Sequence, residues 1–171
     1  MISRLQTAVL AAVLSALALA TAPEGDRPAL DPRYSELDFW LGEWDVFDEA
    51  GRKVGSNVVR KVLKGRLVVE EWTDAFGREG RGSHFYDPAR KKWRLLWIEE
   101  GGGIKEKEGG PAPGADMRVE GEVTRRDGTT ALDRTTLTKL PDGRVRQSIE
   151  WSADGGKTWT QSFLATYVRR P

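Results

Sequence analysis

This sequence predicts an all-β chain folded as a single antiparallel up-and-down β-barrel of about 8–10 strands. Three observations carry that expectation. Apolar residues recur with a period of two from Glu43 to Arg170. Hairpin chemistry separates the runs, with Asp-Gly and Pro-Asp-Gly turns that supply positive or preset φ. The segment Phe39-Trp40-Leu41-Gly42-Glu43-Trp44-Asp45-Val46 stands at their head, where Gly42 lets the chain pass close under a barrel floor and Trp44 plugs it. A long meander must deal with its edges, and closure removes them. A two-sheet sandwich is the alternative, but short sequential turns favour up-and-down order over Greek-key crossings.

The elements follow in order. Residues 35–40 suit one helical turn capped by Ser35, with Leu37, Trp40 and Leu41 closing the barrel bottom. Strands are expected at 43–47, 54–63, 67–73, 80–86, 93–99, 116–125, 131–139, 144–152 and 158–169. Asp48-Glu49-Ala50-Gly51, Lys64-Gly65, Asp87-Pro88-Ala89-Arg90, Asp127-Gly128, Pro141-Asp142-Gly143 and Asp154-Gly155-Gly156 supply turns. Residues 100–114, with six Gly and two Pro, read as a long loop that serves as a mobile lid or as plain slack. Trp93, Leu95 and Trp97 share one face of their strand. So do Met117, Val119, Gly121 and Val123, then Val145, Gln147, Ile149 and Trp151, then Trp159, Gln161, Phe163, Ala165 and Tyr167. The opposite faces carry Arg, Glu, Ser and Thr, as half-buried strands should.

The chain before this pattern has a different character. Arg4 precedes an Ala/Leu/Val run from Leu5 to Ala20 that ends in Ala18-Leu19-Ala20, so residues 1–20 read as a signal peptide cleaved before Thr21. The run is short for a bilayer span and no basic stop-transfer cluster follows, so no membrane span is expected after processing. Residues 21–35, with three prolines, read as a flexible leader, and 36–170 as the barrel domain. The expected location is periplasmic or secreted. With no cysteine the domain has no disulfide to rely on, and its core must stabilise it alone.

The chain holds 27 basic and 26 acidic residues, and the signal carries off Arg4 and no acid, so the mature balance is even with His84 neutral. That excludes a nucleic-acid or anionic-membrane surface as the main partner. Basic pairs such as Arg52-Lys53 and Arg60-Lys61 fall at turns and strand edges, where charge keeps a sheet soluble.

Catalytic constellations are sparse. No thiol nucleophile or multi-histidine metal site is available from one histidine and no cysteine. Ser83 and His84 are neighbours in a strand and point to opposite faces, so they do not pair as nucleophile and base. Neither catalytic residues, metal nor cofactor is assigned. One of the adjacent Glu70 and Glu71 is expected inside, beside Trp72, with Arg134 or Arg146 as its counter-ion. Glu100, Glu106 and Glu108 interleave with Lys105 and Lys107, the pattern of a solvated loop rather than of a metal site. Ser152-Ala153-Asp154-Gly155-Gly156-Lys157-Thr158-Trp159 matches the Asp-box hairpin of sialidase propellers. A single copy in so short a chain builds no propeller, and the motif reads as a hairpin in which Asp154 bonds turn amides over Trp159.

Phe39 to Trp44, Glu70-Glu71-Trp72, Tyr86-Asp87-Pro88, Trp93 to Trp97, Val145-Arg146-Gln147 and the Asp154 hairpin occur in that order. The set resembles a bacterial family of secreted lipocalin-like (calycin) domains, over roughly residues 36–170. The resemblance implies the barrel and no catalytic residues. The family is more distantly similar to nitrobindin-like haem barrels, whose axial ligand is a histidine; here the lone His84 lies in mid-strand with no haem motif around it.

Seven tryptophans are many for a chain of this size; most are expected to fill the core, as aromatic faces do in small barrels, and some to line a cavity. The function predicted is binding of a small apolar or aromatic molecule inside the barrel, by Glu70, Trp72, His84, Trp97, Arg146, Gln147 and Trp151. Gly42, Trp44, Asp154 and Trp159 are expected to be structural. The alternatives are an isomerase, cyclase or hydrolase using Glu70 or His84, and a filled barrel with a structural or interaction role. The sequence does not fix the oligomeric state.

Overall fold

The computed structural model describes residues 29–124 and 128–171. The expected signal peptide, most of the leader, and Arg125 and Asp127 of the sequence-based assignments lie outside the described residues. Ten antiparallel strands close into one barrel. They are β1 (Gly42–Phe47), β2 (Lys53–Val62), β3 (Leu67–Asp74), β4 (Glu79–Asp87), β5 (Lys92–Glu99), β6 (Ile104–Ala112), β7 (Ala115–Thr124), β8 (Thr130–Lys139), β9 (Val145–Ser152) and β10 (Thr160–Arg169). Each pairs with its sequence neighbours, and closure is made by β1 on β10, where Trp44 to Phe47 oppose Arg169 to Thr166. This is the up-and-down barrel expected from the period of two, consistent with a calycin-like architecture.

The floor is built from the segment before β1. Two 3-10 turns, Pro32–Ser35 and Asp38–Trp40, carry the chain under the barrel. Asp31 caps the first through its carboxylate on the Arg33 amide at 3.0 Å, and the second has Leu37 at its N-cap with no side-chain bond, so Ser35 does not cap it as expected. Leu37, Trp40 and Trp44 are buried. Trp44 Nε1 donates to the Trp40 carbonyl at 2.9 Å, tying plug to floor. The Arg169 guanidinium lies 4.4 Å from the centre of the Trp44 ring and donates to the Leu41 carbonyl at 2.9 Å. Gly42 has φ +136°, a conformation that requires glycine, and a Cβ there would also displace the Arg169 guanidinium. Tyr34 packs edge-on against Tyr86 at 5.7 Å, so the end of the expected leader segment is docked on the barrel.

Two sequence-based assignments are corrected. The long loop at 100–114 is largely strand β6, which pairs with β5 from Trp93↔Gly109 to Ile98↔Ile104. Its alternation is hidden because both faces are charged: Lys105 and Lys107 turn inward, while Glu106 and Glu108 pair outside with Arg94 and Lys92. Pro111 is tolerated because the pairing breaks into a bulge between Gly110 and Ala112. In β10 a second bulge between Gln161 and Phe163 shifts the alternation, so Gln161 is exposed and does not share the inner face of Phe163, Ala165 and Tyr167. Trp159 likewise lies outside, under the Arg134 guanidinium at 3.8 Å, with its Nε1 on the Gly156 carbonyl at 3.0 Å.

The Asp154 hairpin has the expected geometry. Its carboxylate accepts from the Lys157 and Thr158 amides at 3.0 and 2.9 Å and from the Ser152 and Thr158 hydroxyls at 2.7 and 2.6 Å. Those bonds, led by the Thr158 hydroxyl, hold the carboxyl down at about 2.

Candidate functional site

The first and last parts of each hairpin pattern sort the barrel into a floor end, under Trp40, and an open end. Between them lies a cavity of about 260 Å³. Its wall is aromatic and aliphatic on one side, with Trp72, Trp97 and Phe163 toward the open end and Trp40 below. Leu95, Met117, Val119, Leu137 and Ile149 fill the wall between them. The two indoles lie against the wall because the facing residues are glycine. A Cβ on Gly80 would overlap the Trp97 ring, and one on Gly55 would stand 2.5 Å from the Trp72 ring. Trp72 meets Phe163 edge-on at 6.1 Å.

Polar groups enter this apolar space in three clusters. On β2, β3 and β4, Asn57 Nδ2 donates to Glu70 Oε1 at 2.7 Å, and His84 Nε2 stands 3.2 Å from Glu70 Oε2. Gly82, opposite Glu70, makes room for this pair, since a Cβ there would come within 2.7 Å of the carboxylate and 2.9 Å of the imidazole. The His84 ring packs edge-on against Trp40 at 5.1 Å. On β9 and β10, the Tyr167 hydroxyl donates to Gln147 Oε1 at 2.7 Å. Complete burial raises the Tyr167 hydroxyl well above its ordinary pKa, and the Glu70 charge adds to that.

The third cluster joins β6 to β8. Lys107 Nζ is paired with Asp133 Oδ1 and donates to Thr135 Oγ1 at 2.6 Å, while Lys105 Nζ donates to Asp133 Oδ2 at 2.8 Å. Burial lowers Lys107 to about 8 despite the pull of Asp133. Burial pushes the Asp133 carboxyl up, but the Lys107 and Lys105 ammoniums outweigh it and hold the carboxyl below its usual value.

The residues singled out by sequence divide accordingly. Glu70, Trp72, His84, Trp97 and Gln147 line the cavity. Arg146 is exposed on the outer wall, and Trp151 is half-buried nearer the open end, outside the cavity lining. Glu70 is met by Asn57 and His84, not by Arg134, which bonds Glu150 at 3.0 Å on the outside. Glu71 faces outward to Arg60 at 2.5 Å. Sequence reasoning passed over Asn57, Lys105, Lys107, Asp133, Thr135 and Tyr167. For the lysines a signal existed: strict alternation in Lys105-Glu106-Lys107-Glu108 has the period of a strand as well as the composition of a loop.

Among the described residues no group of three or more His, Asp or Glu side chains is placed to hold a metal ion. His84 has its Nε2 3.2 Å from Glu70 Oε2. No helix among the described residues is long and apolar enough to cross a membrane. The chain matches no protein-family model and no curated protein sequence. Chemically, the site offers one hydrogen-bonded carboxylate inside, a second, Glu99, at its exposed rim, a pair of ammoniums and a largely aromatic wall.

Proposed function

We propose that this barrel binds one small, mainly apolar or aromatic molecule in its interior, after export of the chain to the periplasm or beyond the cell. The observation that carries the reading is the cavity of about 260 Å³, walled by Trp72, Trp97, Met117, Val119 and Phe163 and edged by Glu70 and Gln147. A dry cavity of roughly 150 Å³ holds benzene, so this one suits one ring or two fused rings. Burial of the rings supplies most of the affinity, at about 25 cal/mol per Å² of apolar surface, and a charge-assisted hydrogen bond fixes orientation.

An apolar naphthalene-based probe should bind one per chain and quench or shift the tryptophan emission, because Trp72 and Trp97 line the space. Glu70→Gln should change the affinity of probes with cationic or hydrogen-bonding heads and leave purely apolar probes nearly unaffected. No binding, together with a Glu70→Gln variant that is merely less stable, would mean a filled barrel with a structural role. The Glu70–His84 contact at 3.2 Å on the cavity wall favours one further reading, proton transfer by an enzyme. Turnover lost in Glu70→Gln with the fold intact would select it.

A further inference from the structure

Charge is unevenly distributed around this cavity. Lys105 and Lys107 both line it, and they share one carboxylate, Asp133, which is not itself part of the lining. An ammonium carries three N–H donors. Lys107 uses two, on Asp133 and Thr135, and Lys105 uses one, on Asp133. One N–H of Lys107, two of Lys105 and the hydroxyl hydrogen of Thr135 therefore have no acceptor among the described residues. Of the two carboxylates in the lining, Glu70 is hydrogen-bonded to Asn57 and His84, Glu99 is exposed, and neither is ion-paired with a lysine among the described residues.

Lys107, 2% exposed, shares its single counter-ion with Lys105, and that leaves an under-neutralised ammonium beside Leu95 and Val119, while Lys105 is 31% exposed and Glu99 sits at the exposed rim of the lining. Either of two events relieves it: loss of a proton, or arrival of an anion. We propose that the ligand of this cavity is an aromatic acid, its carboxylate held by Lys107, Lys105 and Thr135 and its rings by Trp72, Trp97 and Phe163. This narrows the binding reading above and rests on it. The groups facing Lys107 are Asp133 and Thr135 from β8, Lys105 beside it, and more remotely Glu70 on β3 with its partner His84 on β4. Because the free ammonium titrates at about 8 and a bound carboxylate keeps it charged, acid affinity is full below that pH and falls as pH rises through it.

Three ligands with one ring system isolate the head group: 2-naphthoate, 2-naphthylmethanol and 2-naphthylmethylamine, titrated into the whole protein by tryptophan fluorescence and calorimetry between pH 6.5 and 9.5. Naphthoate should bind about tenfold tighter than the alcohol, as one charge-assisted hydrogen bond provides. That advantage should shrink above pH 8 and vanish in Lys107→Met. Should Lys107→Met fail to fold, Thr135→Val keeps the ion pair and should weaken naphthoate severalfold while sparing the alcohol. Equal, pH-independent binding of acid and alcohol leaves the cavity reading standing and overturns this one. Tightest binding of the amine makes Glu70 the selecting group and also overturns it. Binding of none of the three overturns both.

Discussion

Trp44 is held on three sides at once: its Nε1 bonds the Trp40 carbonyl, Arg169 stacks on its face, and Gly42 keeps the approach clear. Its burial is complete, so truncation removes core volume that nothing nearby can refill. Trp44→Ala should cost about 3–5 kcal/mol in urea unfolding, and a cost below about 1 kcal/mol would show that the floor does not depend on it. Lys107 makes a different prediction at the same scale. Its pKa is near 10.5 in an unfolded chain and about 8 when folded, so between those values the unfolded state binds the extra proton. Stability should therefore rise with pH across that window. Tyr167 opposes this above about pH 10, because its raised folded pKa makes the unfolded chain the one that loses its proton first. Urea midpoints at pH 8 and 9.5 should climb in the wild type relative to Lys107→Met; parallel slopes would mean that Lys107 titrates like a surface lysine. Trp44 was readable as structural from the Gly-x-Trp at the head of the alternating strands. Lys107 was not, because a charged side chain earns its place in a core only through partners on another strand, here Asp133 and Thr135.

At the scale of the element, β6 is the informative case. Nothing in Ile104-Lys105-Glu106-Lys107-Glu108 has strand propensity beyond Ile104, and two Gly and a Pro follow. What makes it a strand is β5 on one side and β7 on the other, both with strong alternation of their own. Its glycines then become an asset. A Cβ on Gly109 would overlap the Arg118 carbonyl, and one on Gly121 would overlap the Glu106 carbonyl, so bare residues let β6 and β7 approach closely where the wall bends. Hydrogen exchange distinguishes strand from loop directly. Amides from 105 to 109 should exchange as slowly as those of β5, whereas a mobile lid would exchange at close to the rate of an open chain. The Asp154 hairpin is the opposite case, legible in advance because all its hydrogen bonds are local and its turn residues encode them.

For the whole molecule, closure gives every strand of this cysteine-free chain two neighbours, so the described barrel leaves no edge open to pair with other chains. Export itself is proposed from residues 1–20. N-terminal sequencing of the protein recovered outside the cytoplasm should begin at Thr21 or Pro23, and recovery of chains that still begin with Met1 in a membrane pellet would defeat the proposal.

The sequence by itself determined the all-β class, the up-and-down order, nine of the ten strands and the floor built on Trp40 and Trp44. Those features follow from local periodicity, turn chemistry and a motif confined to a few consecutive residues. It also placed Trp97 and Gln147 on inner faces and one of Glu70 and Glu71 inside, since a period of two carries that information along each strand, while Arg146 and Trp151 of the same expected set lie outside the cavity lining. Only the tertiary structure decided who meets whom. Glu70 meets Asn57 and His84 rather than an arginine, Arg146 lies outside, and a lysine from an apparent loop reaches the centre of the barrel. Register between strands fixes those contacts. It is set by the summed fit of ten strands and by register shifts in β1, β6 and β10, none of which announces itself in the run of residues where it occurs.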